Sequence, residues 1–125
     1  MPDEGSELVS EVFQRHAAGS LDLAAPTIWA YEVCNALRSA VRGGRLARAD
    51  GQRYLLTLLD MDIEPIAFEP LATRAWELAL TRGLTVYDAS YIALAEAREC
   101  DLYTCDAQLA RAAEDLVTVH LLGGD

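Results

Sequence analysis

Two aspartates mark the stretch LTVYDASYIALAEARECDLYTCDAQLA, residues 84–110: Asp88 stands where an apolar helical run begins, and Asp106 follows a short apolar segment. A third carboxylate, Glu32, lies about one and a half turns into an earlier helical run, with Ile28, Trp29, Asn35 and Ala36 at neighbouring helical positions. A glutamate bordering an apolar stripe is costly unless it is paired or bound to a metal. Three carboxylates with no histidine or cysteine among them make a hard oxygen donor set, suited to Mg²⁺ or Mn²⁺, ions that keep waters and bind substrate phosphates. The chemistry such a set supports is hydrolysis of a phosphodiester, in which the ion lowers the pKa of a bound water and offsets charge on the phosphate.

Each residue also has a plainer explanation. Asp88 and Asp106 both precede a helical run, where an N-cap accounts for an aspartate without chemistry. Glu32 could be solvated, or paired with Arg38 or Arg53. Competing chemistries have little support: there is no G-x-G-x-x-G, P-loop or G-x-S-x-G, and YDASY lacks the D-x-D-x arrangement of an aspartyl-phosphate phosphatase.

For the carboxylates to act together, the elements around them must bring them to one place. Leu8, Val9, Val12, Phe13 and Ala17 predict an amphipathic helix over residues 6–18, ended by Gly19 and with His16 at its boundary. A short strand, 21–25, leads to Pro26, read as the first residue of a helix that runs to Gly43 and Gly44. A helix over 46–59 precedes DIEPIAF, a strand whose Pro65 cannot donate to a ladder and so belongs at a sheet edge. Helix 69–82 is closed by Gly83, and helix 88–99, strand 101–105, helix 106–114 and the strand VTVHLL complete the chain. This alternation predicts an α/β fold with a mostly parallel sheet, because parallel neighbours need crossovers of this size. Helix starts and strand ends then share one rim, which delivers Asp88 and Asp106 to the same crevice.

The 125 residues, 52% of them hydrophobic, suit one domain spanning 1–125. Twenty acidic against ten basic residues give a net charge of -10, which favours a bound cation or a basic partner over non-specific attachment to a polyanion. All ten basic residues are arginine; three of Arg38, Arg42, Arg45 and Arg48 are expected at a helix C-terminus, where cations favour the dipole. Cys34, Cys100 and Cys105 show no C-x-x-C spacing and read as small core residues of a reducing compartment. His120, near the C-terminus, reads as a boundary residue. With no basic-then-apolar leader and no long apolar run, the expectation is a cytoplasmic protein with no membrane segment.

The segments YEVCNALRSAVRGGRL, LTVYDASYIALAEA and DLYTCDAQLARAA, in this order and spacing, resemble three motifs of PIN-domain proteins, specifically the VapC-type toxins of toxin–antitoxin modules. The resemblance runs from DEGSE to the final strand and implies a PIN-like three-layer fold, a mostly parallel sheet flanked by helices. It implies a Mg²⁺- or Mn²⁺-dependent endoribonuclease with Glu32, Asp88 and Asp106 as catalytic metal ligands, and Asn35 and Thr104 as polar residues that orient ligands or substrate. A homodimer is implied too, inhibited by a cognate VapB-type antitoxin whose C-terminal segment lies in the acidic groove, often through an arginine.

Family members begin with a strand ending in a further catalytic aspartate, and Met1 falls within the loop that follows it. The chain is therefore expected to be N-terminally truncated, lacking that aspartate and the central first strand of the order 3-2-1-4-5. Strands 21–25 and 101–105 would then stand about two strand spacings, ~9.6 Å, apart. A chain so shortened is expected to cleave weakly. A second reading is a non-catalytic module that captures a basic antitoxin-type peptide in its acidic groove. A third, an unrelated α/β domain whose aspartates only cap helices, expects neither metal nor peptide binding.

Overall fold

A computed structural model describes residues 23–122. The helix expected over 6–18 and His16 lie outside the described residues. The described residues divide into two compact units, 23–66 and 67–122.

The first unit is a parallel β–αα–β crossover. Strand β1 (Leu23–Pro26) leads into helix α1 (Ile28–Arg42), helix α2 (Arg48–Leu59) and strand β2 (Ile63–Ile66). The strands pair in register from Leu23 opposite Ile63 to Pro26 opposite Ile66, and the Thr27 N–H extends the ladder to the Ile66 carbonyl at 3.1 Å. Among the described residues β1 is the one partner of β2, as the missing N–H of Pro65 demands. Pro26 closes β1 and does not open the helix as expected. Its fixed φ and missing donor suit a strand end as well as a helix start, and its place opposite Ile66 decides for the strand.

Gly43 and Gly44 end α1, the latter at φ +75°. The return helix approaches closely at buried Gly51, where a Cβ would stand 2.8 Å from Val41 Cγ2. Asp50, in the first turn of α2, favours the positive helix end and accepts from Arg53 at 2.8 Å. Two arginines of the noted cluster, Arg38 and Arg42, lie in α1, not three; Arg45 falls in the turn and Arg48 opens α2.

The second unit holds a 3₁₀ turn (Glu69–Leu71), helix α3 (Ala72–Arg82), helix α4 (Val86–Arg98), strand β3 (Leu102–Thr104), helix α5 (Ala107–Ala113) and strand β4 (Val119–Leu121). Strands β3 and β4 are parallel, Tyr103 facing His120, with α5 as the crossover. The core lies between α3 and α4, where Ala75, Leu78, Ala89, Ile92 and Ala93 are buried, and continues through Leu102, Leu109 and Ala113. Alanines at the contact let the helix axes approach closely, and each fully buried leucine or isoleucine contributes about 1.5–3 kcal/mol.

Polar contacts tie the same elements together. Arg74 on α3 donates two bonds to the Glu96 carboxylate on α4, at 2.7 and 2.9 Å, and a third to Glu77. Arg82 reaches the Ala112 carbonyl at 3.1 Å and Asp115 at 2.6 Å, fastening the end of α3 to the segment around the end of α5. Gly83, at φ +67°, closes α3 in the left-handed conformation that glycine adopts without penalty.

The fold is α/β, mostly helical, with parallel strands. The two ladders are the 3-2 and 4-5 pairings of the expected order, one in each unit. The cysteines depart from expectation: Cys34, Cys100 and Cys105 are free but exposed, not core residues. Cys34 sits on α1, a helix with no buried residue, and the other two flank β3 just beyond its ends, so apolar sequence neighbours did not translate into burial. Among the described residues no helix is long and apolar enough to cross a membrane.

Candidate active site

Asp106 stands where β3 passes into α5 and is the N-cap of that helix, with extended backbone at φ -96°, ψ 110°. Its Oδ1 accepts the N–H groups of Gln108 at 2.9 Å and Leu109 at 3.3 Å. Its own N–H donates to Thr104 Oγ1 at 3.0 Å. One carboxylate oxygen and the backbone amide of Asp106 are thereby both held while the residue stays exposed. The capping explanation for Asp106 is correct as far as it goes; it leaves the second carboxylate oxygen to be accounted for.

Asp88 is not the cap it was expected to be. Helix α4 starts two residues earlier, and Thr85 is its N-cap, with φ -68° and ψ 157°. Thr85 Oγ1 accepts the Asp88 N–H at 3.1 Å, so Asp88 is the third residue of the helix. The spacing T-x-x-D, Thr85 to Asp88, is a capping-box signal that was present in the sequence. Asp88 is half-buried in the first turn, where the helix dipole favours a negative charge. Buried Ser90 fastens that turn again by donating to the Tyr87 carbonyl at 2.6 Å.

Glu32 and Asn35 lie in the first half of α1, both exposed. The desolvation cost expected for Glu32 therefore does not arise, because α1 buries none of its residues. Arg53, one expected partner of Glu32, is paired with Asp50. His120 Nε2 lies 2.9 Å from Asp101 Oδ2 and the ring stacks on Tyr103, centroids 4.5 Å apart, a contact between β3 and β4 and their flanks.

The three candidate carboxylates are thus distributed, Asp88 and Asp106 in one unit and Glu32 in the other. Among the described residues no group of three or more histidine, cysteine, aspartate or glutamate side chains is gathered as a metal site. Mg²⁺ is commonly held by one or two carboxylates plus waters and substrate phosphates, so the all-oxygen character of Asp88 and Asp106 fits that ion in kind. A pocket of about 180 Å³ in the first unit, lined by Trp29, Leu58, Leu59, Met61 and Ile63 among others, contains no carboxylate and offers nothing to a cation.

Comparison with known proteins gives a consistent family. The PIN domain matches residues 4–115, a run that enters both units. Ribonuclease VapC3 of Pyrobaculum aerophilum is 37% identical over 121 residues, covering 94% of this chain and 88% of that protein. Ribonuclease VapC9 of Mycobacterium tuberculosis is 39% identical over 79 residues, which span 63% of this chain and 61% of that protein. Among solved structures, the crystal structure of PAE2754 from Pyrobaculum aerophilum aligns with a TM-score of 0.72 at 28% identity, covering 93% of this chain and 77% of the other.

Proposed function

This chain belongs to the PIN-domain family, and from that premise we propose that it is a VapC-type endoribonuclease that hydrolyses RNA phosphodiesters with Mg²⁺ or Mn²⁺. The observation that carries the reading is 37% identity along 94% of the chain to a protein named as a ribonuclease. The family match runs unbroken through residues 4–115, which supports treating the two units as one domain.

In this reading Glu32, Asp88 and Asp106 are the metal ligands and catalytic carboxylates, and Asn35 and Thr104 orient them or the substrate. The ion, when bound, supplies a water of lowered pKa and offsets charge at the scissile phosphate. The chain's own contribution is orientation and field. Two backbone N–H groups fix Asp106 Oδ1, and the Thr104 hydroxyl holds the Asp106 amide, so this carboxylate loses little freedom when it takes up a cation. The start of α4 lends Asp88 a favourable field for its anionic form.

With a net charge of -10, a bound cation also offsets the repulsion between the chain and RNA. The same charge suits a VapB-type antitoxin that presents an arginine to the acidic groove. A homodimer working in the cytoplasm completes the proposal.

The test is cleavage of a single-stranded RNA pool with and without Mn²⁺, alongside Asp88→Asn. Cleavage that requires Mn²⁺ and disappears in the variant is expected. Cleavage in chelator, or undiminished in the variant, would overturn the assignment; binding of an arginine-containing peptide without turnover would favour a non-catalytic module.

A further inference from the structure

We propose that Thr85 is a positioning residue for Asp88: its hydroxyl fixes the backbone from which a metal-binding carboxylate projects. The proposal rests on the ribonuclease reading above. The first four N–H groups of a helix have no intrahelical acceptor, and in α4 the one belonging to Asp88 is taken by Thr85 Oγ1 at 3.1 Å. Thr85 is itself anchored, because its carbonyl receives the Ala89 N–H at 2.9 Å. A second bond spans Asp88: Ser90 Oγ donates to the Tyr87 carbonyl at 2.6 Å. Ala89, Ser90, Ile92 and Ala93 are buried, so the turn is seated on the core and Asp88 stands between two fastened residues.

The same arrangement recurs at Asp106, whose N–H donates to Thr104 Oγ1 at 3.0 Å. Both aspartates assigned to the metal thus have their amides held by a threonine hydroxyl two or three residues upstream. An ordinary helix cap accounts for one such bond. Its recurrence at the second aspartate, on a different element, points to control of carboxylate position.

The experiment is calorimetric titration with Mn²⁺, well below every variant's melting temperature, on the parent, Thr85→Val, Thr85→Ser, Thr85→Gly, Asp88→Asn and Leu78→Val. Glycine caps helices nearly as well as threonine yet has no hydroxyl, so Thr85→Gly separates helix stability from positioning and serves if Thr85→Val does not fold. Leu78, fully buried on α3, provides a destabilised core control that removes no hydroxyl and no carboxylate.

Loss of a partner that supports a metal ligand typically weakens binding by about 10-fold or more. That loss is expected in Thr85→Val and Thr85→Gly, with Thr85→Ser and Leu78→Val close to the parent. Parent-like affinity in Thr85→Gly, or an equal loss in Leu78→Val, overturns the positioning role while a loss in Asp88→Asn leaves the metal reading standing. No Mn²⁺ binding by the parent, or undiminished binding in Asp88→Asn, overturns both.

Discussion

Asp106→Asn and Asp106→Ala are expected to differ in folding and to agree in catalysis. Asp106 Oδ1 receives two otherwise unpartnered helix N–H groups, from Gln108 at 2.9 Å and Leu109 at 3.3 Å. Alanine removes that acceptor, and loss of such a cap costs about 1 kcal/mol, within a range of ~0.5–2. Helix α5 has seven residues, too few to persist without its tertiary seat, and it carries buried Leu109, Ala110 and Ala113. A loss of ~1 kcal/mol in a chain of this size lowers Tm by about 3–5 °C. Asparagine keeps the acceptor oxygen and forfeits the interaction of a negative charge with the helix dipole, worth ~0.3 kcal/mol at an exposed site, or about 1 °C. Both substitutions delete a carboxylate from the proposed metal set, and displacement of the ion by ~1 Å is enough to cost about 100-fold in rate. Thermal melts by circular dichroism and single-turnover RNA cleavage with Mn²⁺ read the two effects separately. Equal Tm losses in the two variants would refute the capping geometry; wild-type cleavage by Asp106→Asn would refute the catalytic assignment.

Two further outcomes test the packing and the electrostatics. Gly51→Ala places a methyl 2.8 Å from Val41 Cγ2 and 3.5 Å from Leu46 Cδ2. Overpacking of about 1–3 kcal/mol against a helix-propensity gain of about 1 leaves a net cost of up to about 2 kcal/mol, which Val41→Ala in the same chain should relieve. Urea unfolding checks both, and a stability gain in the single variant would show that α1 and α2 pack more loosely than the geometry requires. The Arg82 guanidinium beside Asp115 holds that carboxyl below the ordinary carboxylate range. A depressed folded-state pKa stabilises above the unfolded value, about pH 4, and the benefit fades as pH falls through the folded value. Asp115→Asn should therefore be less stable than the parent at neutral pH, with the gap closing on acidification and in high salt, because the pair is exposed. Melts at neutral and acid pH decide the matter, and a gap that persists in acid would trace the loss to something other than charge.

The helices were legible because periodicity and end signals agree locally. Gly83 marks the close of α3, Asp106 caps α5, and Pro65 restricts its strand to one partner, each through backbone chemistry that its own residue imposes. Where two local signals compete, neighbouring residues alone do not decide between them. Asp88 and Thr85 are both acceptable caps three residues apart, and Pro26 suits a strand end as well as a helix start. The cap is Thr85, whose hydroxyl takes the Asp88 N–H, and Pro26 was settled by pairing with Ile66, 40 residues away in the chain.

What the sequence by itself determined is the kind of chemistry available, three carboxylates without a soft ligand, and the order of elements that carry them, since donor hardness and helical periodicity are properties of residues and their near neighbours. Only the tertiary structure decided which side chains are withdrawn from water and which hydroxyl holds which amide. Cys34 reads as a core residue and Glu32 as bordering an apolar stripe, yet both are exposed because α1 buries none of its residues. Ser90, unremarkable in the sequence, joins Thr85 in bracing the turn that carries Asp88. Burial and hydrogen-bond partnership depend on what packs from elsewhere in the chain, and no local pattern contains that information.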